Sequence, residues 1–218
     1  LVKRGAIDQA HRLCQRLSDI FVLGIVETLC DNDPASAVRK ALPTVIKRNH
    51  HALATIEEAR EFLAADAARA GFPGTKLASR LMAITAVRTE ALRYAEPHEF
   101  EGLDGSEPLW RIPAAKMKLG VEKRVQTSFE FLVPLPRQAV EVVRLAIANA
   151  AGSKWLFPHI RFPDRVSSEN FLSTRYLKHL GYAGRHRPHG WRSTFSTIMN
   201  ERADREGRAG AKYGDRAI

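Results

Sequence analysis

The chain has 218 residues, 44% of them hydrophobic, enough for one sizeable core and a second small domain. Lys and Arg number 34 against 24 Asp and Glu, a formal net charge of +10, which points to a polyanionic partner, nucleic acid or an acidic membrane surface. No apolar run approaches the roughly 20 residues that span a bilayer and no secretory signal opens the chain, so an intracellular protein without a membrane span is expected.

Residues 6 to 29 carry apolar side chains at Ile7, Ala10, Leu13, Leu17, Ile20, Phe21 and Ile25, a helical period with basic residues between them. Cys14 and Cys30 lie in this stretch without a CxxC spacing; they read as small buried thiols, and no metal site is expected. Asp31-Asn32-Asp33-Pro34 ends the helix, and a short one over 35 to 42 follows. Residues 43 to 54 read as a linker. Its Lys47 and Arg48 are either a solvated hinge or contacts to a phosphate backbone. No Met opens the chain, its first helix is under way by Ala6, and it stops abruptly at Ile218; it reads as a fragment.

Thr55-Ile56-Glu57-Glu58 is a capping box opening a second domain, 55 to 218. Its first helix runs towards Ala70 and stops at Gly71-Phe72-Pro73-Gly74. Thr75 is expected to cap a very apolar helix from Leu77 to Val87, which delivers Arg88 from a buried support. Trp110 to Pro113 and Phe129 to Val133 read as antiparallel strands, the second alternating at Phe129, Phe131 and Val133. Between them lies a basic tip with Lys116, Lys118, Lys123 and Arg124. Helical period returns from Arg137 to Ala150, Ser167 is expected to cap a helix ending at Gly181, and Pro188 introduces the last helix, with Trp191, Phe195, Ile198 and Met199 as its apolar face. The fold class expected is α+β, mainly helical, with one small antiparallel sheet.

His189 and Arg192 are one helical turn apart, so both can meet one anion. Arg88 would hold the anion from a second side, and the planar guanidinium matches two phosphate oxygens at once. Taken singly, Arg88 reads equally as a surface charge, His189 as a capping residue and Arg192 as a solvated cation. Their order, with a lysine-bearing hairpin between them, points to a phosphate clamp. Lys116, Lys123, Arg124 and Arg185 are expected on the DNA backbone, though a solvated hairpin tip reads nearly as well. The GxxxxGK[ST] phosphate loop does not occur, so neither nucleotide nor another cofactor is expected.

Five segments in order resemble the tyrosine recombinases, the phage-type integrases. They are Thr85-Ala86-Val87-Arg88-Thr89; Ile112-Pro113-Ala114 with Met117-Lys118 and Val133-Pro134-Leu135; Leu156-Phe157-Pro158; Leu180-Gly181-Tyr182; and His189-Gly190-Trp191-Arg192-Ser193-Thr194-Phe195-Ser196-Thr197. The resemblance implies a catalytic domain with Arg88, Lys118, His189 and Arg192 as catalytic residues, preceded over 1 to 42 by part of a helical core-binding domain. It also implies DNA integration or excision through a 3′-phosphotyrosyl link, self-association on duplex DNA, and a place on the nucleoid in the cytoplasm. The chain departs from the family in having Ala91 where a glutamate is usual, with Glu90 one position early. The family's nucleophilic tyrosine is expected beyond Ile218, because Tyr213 follows Arg192 too closely and has a Gly-rich flank. Two other readings remain: a non-catalytic DNA-binding remnant or regulator on the same fold, and a type IB topoisomerase-like enzyme.

Overall fold

The computed structural model describes residues 1–45 and 51–205. The chain divides into two compact units, Leu1–Asn49 and His50–Ile218. In the first, helix α1 (Ile7–Val26) packs on helix α2 (Pro34–Ala41). Asp33 caps α2, its carboxylate accepting from the amides of Ala35 and Ser36 at 2.9 and 3.3 Å, with Pro34 in the first helical position, where no amide is needed. Ala10, Cys14 and Ala35 are buried, whereas Leu13, Leu17, Ile20 and Ile25 stand exposed. One short helix is too narrow to cover the whole apolar stripe of a long one.

In the second unit, helix α3 (Ile56–Ala68) begins where the capping box predicts. Thr55 Oγ1 accepts from the Glu58 amide at 3.2 Å, and the Glu58 carboxylate reaches back to the Ala54 amide at 2.6 Å. Helix α4 (Pro73–Thr85) starts earlier than expected, because Pro73 rather than Thr75 opens its first turn. It also ends earlier: Ala86 is left-handed, at φ 49°, and breaks the helix before Arg88. Ala78, Leu81 and Met82 are fully buried, and α4 packs on helix α7 (Arg137–Ala150) in the most extensive helix pairing among the described residues.

Helix α5 (Thr89–Arg93) leads to a three-stranded antiparallel sheet of β1 (Phe100–Glu101), β2 (Leu109–Ile112) and β3 (Phe131–Pro134), in that order. Trp110 faces Phe100 on one side and Val133 on the other, and its ring is completely buried. The expected alternation on β3 is not realised. Phe129 lies in a 3-10 turn and Phe131 is exposed, so Val133 alone of the three enters the core. The segment between β2 and β3 carries the short helix α6 (Val121–Arg124). Helices α8 (Thr174–Leu180) and α9 (Gly190–Arg205) follow. Gly181 ends α8 as expected, but Ser167 caps nothing: its buried hydroxyl donates to the carbonyls of Phe157 and Pro158. Among the described residues no helix is long and apolar enough to cross a membrane.

Asp66 on α3 and Tyr176 on α8 join two helices through a part-buried hydrogen bond from the phenol to the buried carboxylate. Burial pushes the Asp66 carboxyl up from 3.8 to about 6, against the opposing pull of Lys76 and Arg80. A raised folded pKa makes the protonated form the stabilising one, so this contribution is complete below about pH 4 and is lost as pH rises through about 6. His186 acts oppositely: burial lowers it from 6.5 to about 4, so its contribution is present above about pH 6.5 and is lost as pH falls through about 4. Asp66→Asn keeps an acceptor for Tyr176 and removes the charge. It is expected to raise Tm at pH 8, leave it unchanged at pH 4, and expose the acid sensitivity of His186 between those limits. Thermal melts across that range decide it, and an equal gain at both ends would rule out ionisation as the cause.

Candidate functional site

Two supports meet at the site. One is the break after α4, where the left-handed turn at Ala86 directs its carbonyl away from the helix and leaves Arg88, two residues on, half-buried as the N-cap of α5. The other is the start of α9, where Arg192 lies one turn after His189, its amide bonded to the His189 carbonyl at 3.2 Å. Arg192 Nη1 donates to the Ala86 carbonyl at 2.8 Å. This bond joins residues 106 positions apart and sets the Arg192 side chain beside the turn that carries Arg88. Burial, and then the Arg88 charge, hold the Arg192 guanidinium below the usual arginine range. Two cations held this close on a half-buried surface repel each other, and a phosphate between them removes that repulsion.

The start of α9 is itself strapped down by residues 51–54, which sequence reading assigns to the linker. The Arg187 amide donates to the His51 carbonyl at 3.1 Å, and the buried Thr194 hydroxyl donates to the Leu53 carbonyl at 2.8 Å. Between these two points the strap crosses Gly190 so closely that a Cβ there would stand 2.6 Å from the His51 carbonyl. Gly190, Trp191, Thr194 and Ala203 are the buried positions of this helix among the described side chains, while Phe195, expected in the core, is exposed. His186 lies beneath it among the rings of Phe62 and Trp191, both ring nitrogens without a hydrogen-bond partner among the described residues.

Known proteins resemble this chain in sequence and in fold. Over 199 residues, 91% of this chain and 46% of the relative, the sequence is 32% identical to prophage integrase IntZ of Escherichia coli (strain K12). It is 34% identical over 182 residues to the integrase of Enterobacteria phage P4, covering 82% of this chain and 40% of that protein. In sequence the chain is similar to phage integrases over most of its own length. It spans less than half the length of these two relatives, and no family model matches it. The fold is also that of solved recombinases. A lambda integrase dimer bound to a COC′ core site superposes with a TM-score of 0.64 at 15% identity, over 99% of this chain and 58% of that one. The Tn1549 transposon integrase in complex with a circular intermediate DNA gives 0.62 at 13% identity, over 92% and 73%.

Within this integrase fold the remaining basic residues have separate places. Lys118 is exposed in the insertion between β2 and β3, apart from the Arg88–Arg192 cluster in sequence and in element. Lys123 lies over the Phe129 ring at 5.3 Å, and Arg124 Nε donates to the Leu119 carbonyl at 2.8 Å; both are exposed. Arg185 is exposed above the Tyr182 ring. Lys116 is not presented to solvent as the hairpin reading expects: its ammonium is taken up by Tyr94, Glu96 and Glu99. Lys47, Arg48 and Tyr213 lie outside the described residues.

The integrase family's usual glutamate position, Ala91, is buried in the core, and Glu90 is exposed, since one residue turns a helix by roughly 100°. Glu90 therefore does not take that place. Sequence reading also missed the Ala86 carbonyl, the strap at 51–53 and the Thr194 hydroxyl. A glycine at 86 would have signalled the left-handed turn; an alanine gives no such signal.

Proposed function

We propose that this chain forms the phosphate-gripping core of a site-specific recombinase that integrates or excises a mobile element. Arg88 and Arg192 bind the non-bridging oxygens of the scissile phosphate and stabilise the charge that grows on the pentacoordinate transition state. A tyrosine oxygen bonds to phosphorus as the bond from phosphorus to the 5′-oxygen breaks. His189 hydrogen-bonds the phosphate and accepts the tyrosine proton, and Lys118 gives a proton to the departing 5′-oxygen. No residue of 1–218 is assigned as the nucleophile. The 3′-phosphotyrosyl link keeps the energy of the broken ester, so a new strand can be joined by reversal of the same step.

The observation that carries this reading is the pair of like charges, Arg88 and Arg192, with Arg192 fastened by the Ala86 carbonyl to the turn that leads to Arg88. The net charge of +10 supports duplex DNA as the anion, gripped over many phosphates by the exposed Lys118, Lys123, Arg124 and Arg185, with Lys47 and Arg48 on the same reading. Recombination joins two duplexes, which implies more than one copy on DNA, and the solved relatives named as a dimer on a core site and a tetramer on a Holliday junction are in keeping with that. The place of action on this reading is the nucleoid.

Duplex binding at several salt concentrations tests the first half. Affinity is expected to fall roughly a thousandfold between about 50 and about 200 mM salt through loss of counterion release. Trapping of a covalent adduct on a nicked substrate by the protein in its natural full length tests the second. Binding that ignores salt, or full-length protein that binds its site and never cleaves, would overturn the proposal.

A further inference from the structure

We propose that Lys116 is a positioning residue that sets Lys118 at the scissile phosphate, by locking the lysine-bearing loop onto the helix that starts at Arg88. The proposal rests on the reading of Lys118 as general acid.

Lys116 ends a 3-10 turn, Ala114–Lys116, immediately after β2. Its ammonium donates to the Tyr94 carbonyl at 2.6 Å, to Glu96 Oε1 at 2.9 Å and to Glu99 Oε1. Glu99 is almost completely buried, and its other oxygen accepts from Trp110 Nε1 at 3.0 Å, so the knot is fastened to the centre of the sheet. All three protons of the ammonium are spent inside the protein, which leaves Lys116 no donor for a phosphate.

The partners of the knot matter as much as its strength. Tyr94 is the residue that ends α5, and Arg88 is the N-cap of the same five-residue helix. Lys116 therefore ties the loop to the far end of the short rigid element whose near end carries Arg88. Two residues beyond the knot stands Lys118. Met117 packs against the core, and the Leu119 amide bonds to the Met117 carbonyl at 2.9 Å, which makes Lys118 the apex of a three-residue turn. Arg124 holds the far side of that turn through the Leu119 carbonyl. The Lys118 backbone is thus braced before and after while its side chain is exposed, as an acid that meets DNA from outside requires.

A substrate whose 5′-bridging oxygen is replaced by sulfur separates positioning from other roles, because a thiolate departs without a proton. In single-turnover cleavage by the full-length protein, Lys116→Met is expected to slow the oxygen substrate about 100-fold with DNA affinity unchanged. On the sulfur substrate it should cleave within about threefold of the wild type, as should Lys118→Ala. Lys116→Met strands the buried Glu99 carboxylate and can unfold the domain, so Lys116→Met with Glu99→Gln is assayed beside it. The glutamine still accepts from Trp110, and the same pattern is expected. Slowing of both substrates alike would mean a general structural role, and loss of DNA affinity would mean a DNA contact; either overturns the proposal. If Lys118→Ala is not rescued by sulfur, the Lys118 reading itself falls. If Lys116→Met alone is rescued, Lys116 is the acid, not its support.

Discussion

Arg192→Ala in the full-length protein is expected to slow DNA cleavage by about a thousandfold or more, while DNA affinity changes by less than about tenfold. On the proposed function the two effects separate, because Arg192 would serve one phosphate among the many that a strongly basic chain contacts, and that phosphate would be the one that reacts. The side chain is half-buried and its Nη1 is fixed on the Ala86 carbonyl, so little rearrangement is needed when charge develops. Arg192→Lys should recover little of the loss. A lysine presents a single charged point and cannot hold the Ala86 carbonyl and two phosphate oxygens in one plane. Single-turnover cleavage beside a binding isotherm gives both numbers. Equal losses in cleavage and affinity would show that Arg192 is an ordinary backbone contact.

Gly190→Ala should be the most damaging small substitution in the second unit. The added methyl meets the His51 carbonyl at 2.6 Å and the Ala52 Cα at 3.1 Å, both backbone atoms that cannot swing aside. The strap must lift, and with it go the bonds from the Arg187 amide and the Thr194 hydroxyl. Overpacking of this kind costs about 1–3 kcal/mol, which lowers Tm by roughly 2–12 °C for a chain of this size. Gly120→Ala is the control: a Cβ there meets nothing within 4 Å and φ is −60°. Because His189 and Arg192 flank the strapped turn, cleavage should fall further than the loss of folded protein explains. A Gly190→Ala protein as stable as the Gly120→Ala control would mean that the strap does not hold α9.

Much of the architecture was legible in local chemistry. Helix α7 runs from Arg137 to Ala150 as its period predicts, with Pro136 before it and a left-handed Ala151 after it. The capping box marked the start of α3 to the residue, and Gly181 ended α8. Local signals failed where a side chain found a distant partner. Ser167 looks like a cap and instead binds the carbonyls of Phe157 and Pro158. Thr194 looks like a polar interruption of an apolar face and is the residue that face buries, because Leu53, 141 positions away, offers a carbonyl. Strand β1, two residues long, is too short to show any period.

By itself the amino-acid order determined which cations this chain owns, most of the helices around them, and through five ordered motifs the family it resembles. It could do so because helix period, caps and turn residues act over a few positions. What each cation faces was decided only by tertiary structure. Lys116 and Lys118 are two residues apart and alike in sequence, yet one is spent on Tyr94, Glu96 and Glu99 and the other is exposed. Arg88 and Arg192 become a pair only because Ala86 adopts a left-handed turn that nothing in its side chain favours. The energy of a charged group depends on the partners and solvent around it, and folding brings those partners from parts of the chain that local patterns do not connect.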